Sequence, residues 1–285
     1  MDDIGIVGTN NLKKQIKSIE GIKKVTKAMA LVSTSKLRKV RDILDVNNTY
    51  YKTYEGIIDE VAPYLSEESI YLKGNKSDKR LIIVIASDRG MCGGYNHNIG
   101  SYLEQLEIED KDKCNLVVIG KRGINLSKRY GFHSLEHDLS ISDLPKLEEA
   151  EAISRFCLEK FISGEFGRIS IIYTWYKNPL VKEVKEAEIL PIYISPNKNS
   201  FNGEFEVEGN YEELTDQIIL PFFTCKIMNA IINSKTSENS IRMETMNSAT
   251  KSADDMISEL KQKYNRLRQA EITQEISEIV GGTQR

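Results

Sequence analysis

One stretch of the sequence, residues 87–96 (SDRGMCGGYN), carries residue types that could bind a phosphate group. It follows an apolar run and precedes a helical pattern, which is where α/β sheets bind ligands through backbone N–H groups. Its glycines are spaced G-x-x-G-G rather than G-x-G-x-x-G, and no Gly-Lys-Ser or Gly-Lys-Thr sequence occurs in the chain. The carboxylate of Asp88 would also repel a bound phosphate. The pattern therefore favours a tight, closely packed turn over the alternative of a phosphate-binding loop.

The histidines and cysteines form no recognisable metal or nucleophile motif. His133 and His137 are four residues apart, but no third ligand accompanies them. A nucleophilic pair of Cys92 with a histidine has no support beyond the presence of both residue types. The cysteines are scattered without C-x-x-C spacing, at Cys92, Cys114, Cys157 and Cys225. We expect buried thiols in a reducing compartment, and no catalytic residue, metal or cofactor.

A basic run near the N-terminus could bind an acidic partner. Between Lys13 and Arg41 there are ten Lys or Arg residues and one acidic residue, Glu20. A solvated helix face is the simpler interpretation, and docking on an acidic protein or nucleic acid is the functional one. Residues 1–49 contain no aromatic residue, which argues against binding of single-stranded nucleic acid. The formal net charge of −3 likewise gives no reason to expect a nucleic-acid partner.

Apolar runs in the middle of the chain predict the strands that would position the loop at residues 87–96. Runs typical of buried parallel strands occupy residues 80–87, 115–120 and 168–176, with a weaker fourth at 187–193. Helical patterns lie between them, at residues 98–107, 123–130 and 147–163. This alternation predicts a Rossmann-like α/β domain with a mostly parallel sheet. Residues 194–210 are predicted to form a polar loop or hairpin.

Both ends of the chain are predicted to be long helices. No proline occurs in residues 1–62 or 222–285, and no glycine lies between Gly209 and Gly281. A last helix that starts at Pro221 and runs to Val280 would be roughly 90 Å long. The sequence thus divides into an N-terminal coiled-coil helix (1–62), an α/β domain (63–210) and a C-terminal coiled-coil helix (211–285).

Apolar spacing in the two end segments predicts an antiparallel coiled coil, with an ordinary helical bundle as the alternative. The first seam contains Ile22, Val25, Met29 and Val32, in steps of 3, 4 and 3, and it extends through Ile16, Ile19, Leu37, Val40 and Leu44. The second seam follows mostly the same steps through Met243, Met246, Ala249, Ala253, Met256, Leu260, Tyr264 and Leu267. Helices of this length must project from the body of the protein or be covered by something else, because the rest of the chain is too short to cover them.

The sequence offers no means of crossing a membrane. The N-terminus is acidic and lacks the apolar core of a secretory signal, which favours a bacterial cytoplasmic origin. No window approaches ~18 uninterrupted apolar residues. Any membrane association is therefore expected to go through a partner.

Taken together, these features resemble the gamma subunits of F-type ATP synthases. The first matching stretch, residues 16–39, contains KVTKAM and VSTSK, and the second is SDRGMCGGYN at residues 87–96. The third lies in the C-terminal segment, with Ser237, Glu238, Arg242 and Met243 followed by YNR, RQA, ITQE and EIVGG between residues 264 and 282. The order and spacing fit along essentially the whole chain.

The resemblance implies a non-catalytic rotor shaft of a bacterial enzyme. Its helix pair would turn inside a ring of three alpha and three beta subunits, and its α/β domain would lie beside epsilon on the membrane ring of c subunits. Such a shaft couples ion flow to ATP synthesis or hydrolysis at the beta sites, as a peripheral protein on the cytoplasmic face of the cell membrane. The implied partner-contact residues are Met29, Lys23, Lys24 and Lys27 near beta's acidic loop, and Arg242, Arg268, Gln269 and Thr273 further along. Residues 203–210 would form part of the foot against epsilon and the c ring.

Two other classes of function remain compatible with the sequence. One is a cytosolic nucleotide-binding enzyme with helical extensions, and the other is a free-standing coiled-coil scaffold that forms homodimers. Departures from the family pattern include Gly21, which would weaken a helix by about 1 kcal/mol relative to Ala.

Overall fold

Two long helices and a small α/β sheet make up the described part of the chain. The computed structural model describes residues 3–61, 69–106, 111–135, 139–192 and 211–282. Contacts divide the chain into two units, Met1–Ser33 with Arg242–Arg285, and Thr34–Ile241. The long helices, α1 (Asp3–Val61) and α6 (Tyr211–Gly282), each contribute a segment to both units. We call the first the helix-pair unit and the second the sheet unit.

The sheet unit is built on five strands in the order β3-β2-β1-β4-β5. Their bounds are β1 Arg80–Ile85, β2 Cys114–Ile119, β3 His133–Ser134, β4 Arg168–Tyr176 and β5 Lys182–Leu190. The first four run parallel, and β5 pairs antiparallel with β4. Short helices connect them: α2 Ile70–Lys73, α3 Tyr95–Gln105, α4 Leu126–Tyr130 and α5 Leu147–Ile162, with a 3₁₀ turn at Lys111–Lys113. The predicted fold class, long terminal helices with a mostly parallel sheet, is confirmed.

The sheet has a buried apolar layer on each face, as its alternating side chains require. On one face Leu81, Ile83 and Ile85 of β1 pack with α5 and with the sheet-unit segments of α1 and α6. On the other face Ile82 and Val84 pack with α3 and α4. Because both faces are covered, the parallel strands are continuous apolar runs, which is why the sequence predicted them well.

Some boundaries differ from the predictions. Helix α6 begins at Tyr211 rather than at Pro221, which lies inside the helix. Proline removes one backbone hydrogen bond, and here that cost is outweighed by apolar residues on either side, such as Ile219 and Phe223, which are buried against the sheet. Strand β5 starts at Lys182, five residues before the predicted start, and it carries several charged residues rather than being uniformly apolar. The short elements α2 and β3 were not predicted.

The sequence-based domain limits near residues 62 and 210 stay predictions. Residues 62–68 and 193–210 lie outside the described residues. The same holds for the predicted loop or hairpin at 194–210 and for the predicted foot at 203–210.

An unexpected feature of the sheet unit is a buried polar stretch of α6. Residues 233–240 are all polar and all buried. Strand β4 continues to Tyr176, but its pairing with β1 ends at Ile172, so one of its edges is left open. Side chains of α6 fill this edge: the Thr174 N–H donates to Ser234 Oγ (3.1 Å), the Tyr176 N–H donates to Asn233 Oδ1 (3.2 Å), and Ser237 Oγ donates to the Thr174 carbonyl (3.0 Å). The helix thus satisfies backbone groups that a neighbouring strand would otherwise pair.

Candidate functional site

In the helix-pair unit, α1 and α6 run antiparallel. The Thr26 and Thr250 hydroxyls are 2.8 Å apart, and Lys23 Nζ lies 2.5 Å from a carboxylate oxygen of Asp254. Further along the pair, Lys261 Nζ is 3.4 Å from Glu20 Oε1, and the Lys13 ammonium lies 5.4 Å from the centre of the Tyr264 ring. Along these contacts the residue numbers of α1 increase while those of α6 decrease, as an antiparallel pair requires.

The seam of α1 differs from the predicted one in its middle part. The predicted residues Ile22, Val25 and Val32 are 55%, 55% and 53% exposed. Met29, the fourth predicted residue of this part, is half-buried. The side chains that line the seam here are instead Lys23, Thr26, Ala30 and Ser33, and with Leu12, Ile16, Ile19, Leu37, Val40 and Leu44 they continue strict steps of 3 and 4 along α1. The unbroken steps from Leu12 to Leu44 keep one face of α1 against α6, so the small and polar side chains of its middle part lie in the seam.

The seam of α6 follows the prediction more closely. Met246 and Ala253 are buried, and Ala249, Leu260 and Tyr264 are half-buried. Met256 was predicted on the seam but is 53% exposed, and its neighbour Ile257 is buried in its place. Leu267 was also placed on the seam and is exposed. The error at Met256 arises because two adjacent apolar residues fit the same spacing pattern, so the sequence alone cannot separate the two helix faces.

Aliphatic side chains therefore lie on the outside of α1. Ile22, Val25 and Val32 are spaced by 3 and 7, so they share one helix face, which we call the outer stripe. Two lysines of the same segment, Lys24 and Lys27, are also exposed, on other faces of the helix. Large apolar groups in a row fit a protein surface that offers apolar contacts, and the lysines fit acidic groups on the same partner.

The structure places the four predicted contact residues of α1 in two environments. Lys24 and Lys27 are exposed, whereas Met29 is half-buried. Lys23 is half-buried and pairs with Asp254 inside the helix pair. Lys23 therefore contributes to the pair itself, and contact of any of the four with a partner stays a prediction.

The four predicted contact residues of α6 also separate. Arg242 is buried, whereas Arg268, Gln269 and Thr273 are exposed. The Thr273 hydroxyl donates to the Gln269 carbonyl (2.8 Å), so both lie on one face of the last turns. Large exposed apolar residues follow at Ile272, Ile276, Ile279 and Val280, and the sequence-based predictions did not single out this apolar end of α6. Its signal was available, since these residues recur at helical spacing beyond the predicted seam.

The loop at residues 87–96 is a closely packed turn whose polar groups bond within the sheet unit. The Ser87 N–H donates to Asn96 Oδ1 (3.1 Å), and Asn96 Nδ2 donates to Ser87 Oγ (2.7 Å). The Lys121 N–H donates to the Asp88 carboxylate (3.2 Å). Gly120 has a φ of +115°, and a Cβ atom there would lie 2.4 Å from the Ala86 carbonyl oxygen. These contacts favour the packing interpretation of the loop over phosphate binding.

The cysteine and histidine side chains are the remaining candidates for reactive or metal-binding groups. All four cysteines are free and buried, as predicted. His133 lies 3.7 Å from an Asp112 oxygen, and His137 is outside the described residues. In the described ranges no three His, Cys, Asp or Glu side chains are grouped as a metal ion would need. Nor does any helix within these ranges combine the length and the apolar character that a membrane span needs.

Solved structures with a similar fold are central stalks of ATP synthases. The central stalk and c-ring structure of the Tetrahymena thermophila mitochondrial ATP synthase includes a chain that matches with a TM-score of 0.58 and 21% identity, over 79% of this chain and 99% of that one. A chain of the Euglena gracilis mitochondrial ATP synthase rotor matches with a TM-score of 0.63 and 15% identity, over 93% and 99%. At these identities the likeness concerns the fold.

Sequence comparison identifies the family. The ATP synthase gamma chain of Clostridium perfringens is 40% identical over 278 residues, which cover 97% of this chain and 98% of the relative. The ATP synthase gamma chain of Clostridium kluyveri is 39% identical, again over 97% of this chain and 98% of the relative. The family model described as ATP synthase matches residues 8–284. The chain therefore belongs to the family of ATP synthase gamma chains.

Proposed function

We propose that this chain is the central rotor stalk of an F-type ATP synthase. In this role its helix pair turns inside a ring of alpha and beta subunits, and its sheet unit contacts epsilon and the membrane ring of c subunits. The stalk itself neither makes nor breaks a covalent bond. It couples ion flow through the c ring to ATP synthesis or hydrolysis on beta, on the cytoplasmic face of a bacterial cell membrane.

The observation that carries this proposal is the outer stripe on an antiparallel helix pair. Ile22, Val25 and Val32 are each more than half exposed, in a helix pair whose seam is small and polar at the same level. A free-standing coiled coil would place such residues in its seam. Their outward position fits a pair that a surrounding protein covers, and a match to gamma chains at 40% identity supports the same conclusion.

The physical role follows from differential contact. A shaft that exposes different side chains around its circumference favours a different conformation of each neighbour that it faces. The outer stripe is one such face, and the part of the helix that carries Lys24 and Lys27 is another. We include Met29, Lys23, Arg242, Arg268, Gln269 and Thr273 in the contact set, on the strength of the motif match.

Reconstitution with alpha and beta subunits tests the proposal. We expect this chain to copurify with them and to raise their ATPase turnover, compared with alpha and beta alone and with an unrelated helical protein at equal concentration. No copurification and no stimulation would contradict the proposal. Nucleotide binding by the isolated chain would instead support an enzyme, and a stable homodimer in sedimentation would support a scaffold.

A further inference from the structure

The loop at residues 87–96 has two charged side chains that point toward other parts of the sheet unit. Asp88 Oδ2 lies 3.5 Å from Lys235 Nζ on α6. The Arg89 guanidinium lies 3.6 Å from Asp143 Oδ2, in the segment that precedes α5. The Asp88 carboxylate of the loop thus faces α6, and its Arg89 guanidinium faces the segment that contains Asp143.

Asp143 also binds α1. Lys36 Nζ donates to the same oxygen, Asp143 Oδ2, at 2.5 Å. Lys36, together with the nearby Arg89 and Lys235, keeps the pKa of the Asp143 carboxyl below its usual range, so that the group is ionised at neutral pH. One carboxylate therefore joins α1 to the loop that follows β1.

The segment that carries Asp143 is itself fixed. Both carboxylate oxygens of Glu149 on α5 accept backbone N–H groups, from Ser142 at 2.9 Å and from Lys146 at 3.0 Å. Asp143 lies between these two anchored residues. The backbone on either side of Asp143 is consequently anchored on α5, while the Asp143 carboxylate binds Lys36 of α1.

On α6 the charges are deeply buried. The side chains of Lys235 and Glu238 are 4% and 6% exposed, and they lie 3.6 Å apart. Buried charges are costly unless they are paired, so their geometry is strongly constrained. We call Lys36, Asp88, Arg89, Asp143, Lys235 and Glu238 the charge cluster. It contains three cations and three anions, and it draws on α1, α6 and two loops of the sheet unit.

We propose that the charge cluster is an ionic clamp that fixes both long helices to the α/β sheet, and that Asp143 and Lys235 are its positioning residues for transmitting rotation. The inference rests on the rotor function proposed above. Apolar packing can hold a helix near a sheet while leaving it some freedom to slide. Ion pairs on both helices oppose such sliding. The Lys36–Asp143 pair on α1 is a charge-assisted hydrogen bond of 2.5 Å, and the Asp88–Lys235 pair on α6 is a looser contact of 3.5 Å that involves a buried lysine. The loop at residues 87–96 then has a mechanical role.

The test compares ion pumping with ATP hydrolysis in membrane vesicles that carry the complete complex. A voltage-sensitive dye reports the membrane potential generated per ATP hydrolysed, whichever cation is pumped. We expect Asp143→Asn and Lys36→Gln to lower this ratio while hydrolysis continues. The charge exchange Lys36→Asp with Asp143→Lys should restore much of it. Asp78→Asn is the matched control, since Asp78 pairs with Lys113 at 2.5 Å in the sheet unit and neither residue belongs to a long helix.

Several outcomes would overturn the proposed clamp. A wild-type ratio in both single variants would overturn the clamp, as would an equal loss in the Asp78→Asn control. Failure of Asp143→Asn complexes to assemble, or of the charge exchange to restore the ratio, would also overturn it, by assigning Asp143 to folding alone. If the wild-type complex generates no potential, the proposed rotor function fails, and the clamp fails with it for that separate reason.

Discussion

Polar side chains hold together the part of the helix pair where aliphatic residues were expected. The Thr26 and Thr250 hydroxyls bond across the seam, and each also lies within hydrogen-bonding distance of a carbonyl of its own helix. A net hydrogen bond contributes about 1 kcal/mol, less than full burial of a large aliphatic side chain, which contributes about 1.5–3 kcal/mol. At this level the pair therefore gives up some of its own stability and leaves Ile22 and Val25 available to a partner.

Residue-scale burial also predicts how the cysteines react. Burial raises the pKa of the Cys114 and Cys225 thiols to about 11 and places that of Cys157 well above its ordinary value. Only the thiolate is reactive, so a thiol reagent such as Ellman's reagent at pH 8 should leave the folded chain essentially unmodified. In urea all four thiols should react. A Glu104→Cys variant, at an exposed position of α3, should add one fast thiol. Fast reaction of the native chain would contradict the buried placement.

At the scale of elements, α6 changes its role along its length. In the helix-pair unit it supplies a seam, whereas residues 233–240 supply polar side chains to the open edge of β4. These residues are mostly short hydroxyl and amide side chains, which can reach a strand backbone. A solvated helix face would more often carry long charged residues. That difference in side-chain length is the signal in the sequence that could have identified the buried stretch.

Ser234→Ala should therefore destabilise the sheet unit. It removes the acceptor of the Thr174 N–H, and an unsatisfied buried donor costs about 1–3 kcal/mol. The measurement is the midpoint of urea unfolding. Ser277→Ala is the control, because the Ser277 hydroxyl is exposed and bonds only the Thr273 carbonyl of its own helix. Equal midpoints for the two variants would show that the β4 edge does not depend on α6.

Elements differ in how far the sequence determines them. Strand β4 matches its predicted range because a strand covered on both faces must be continuously apolar. Strand β5 was predicted short, because half of its side chains are polar, and β3 spans only His133–Ser134, too few residues for a period. The coiled-coil seams were predicted in the right helices but partly on the wrong face. Among the candidate site residues, the contact set was predicted from motifs and stays a prediction, whereas the pairing of Lys36 with Asp143 required the structure, since 107 positions separate them.

At the scale of the whole molecule, both long helices belong to two units with different roles. In the proposed function the outer stripe of α1 contacts the surrounding ring, and the charge cluster connects the same helix to the sheet. A partner surface and a clamp can then be weakened independently. Variants in one should change binding to the ring, whereas variants in the other should change pumping per ATP.

Substitutions in the outer stripe test its role as a contact surface. Ile22→Ser with Val25→Ser should lower the ATPase stimulation of reconstituted alpha and beta, because it removes apolar contacts with the partner. The folded chain itself should keep its unfolding midpoint, since both side chains are more than half exposed. Val46→Ser is the control, because Val46 is an exposed valine of the same helix outside the stripe, at 72% exposure. Undiminished stimulation by the double variant would exclude the stripe from the contact surface.

Direct observation of rotation tests the central claim. The Glu104→Cys variant offers a site for attaching a bead to the sheet unit, because the native thiols are buried. With alpha and beta immobilised on a surface, we predict steady rotation of the bead in one direction when ATP is added, and only Brownian motion without it. A bead that stays fixed or moves randomly, while the same complexes hydrolyse ATP, would contradict the assignment of this chain as the rotor.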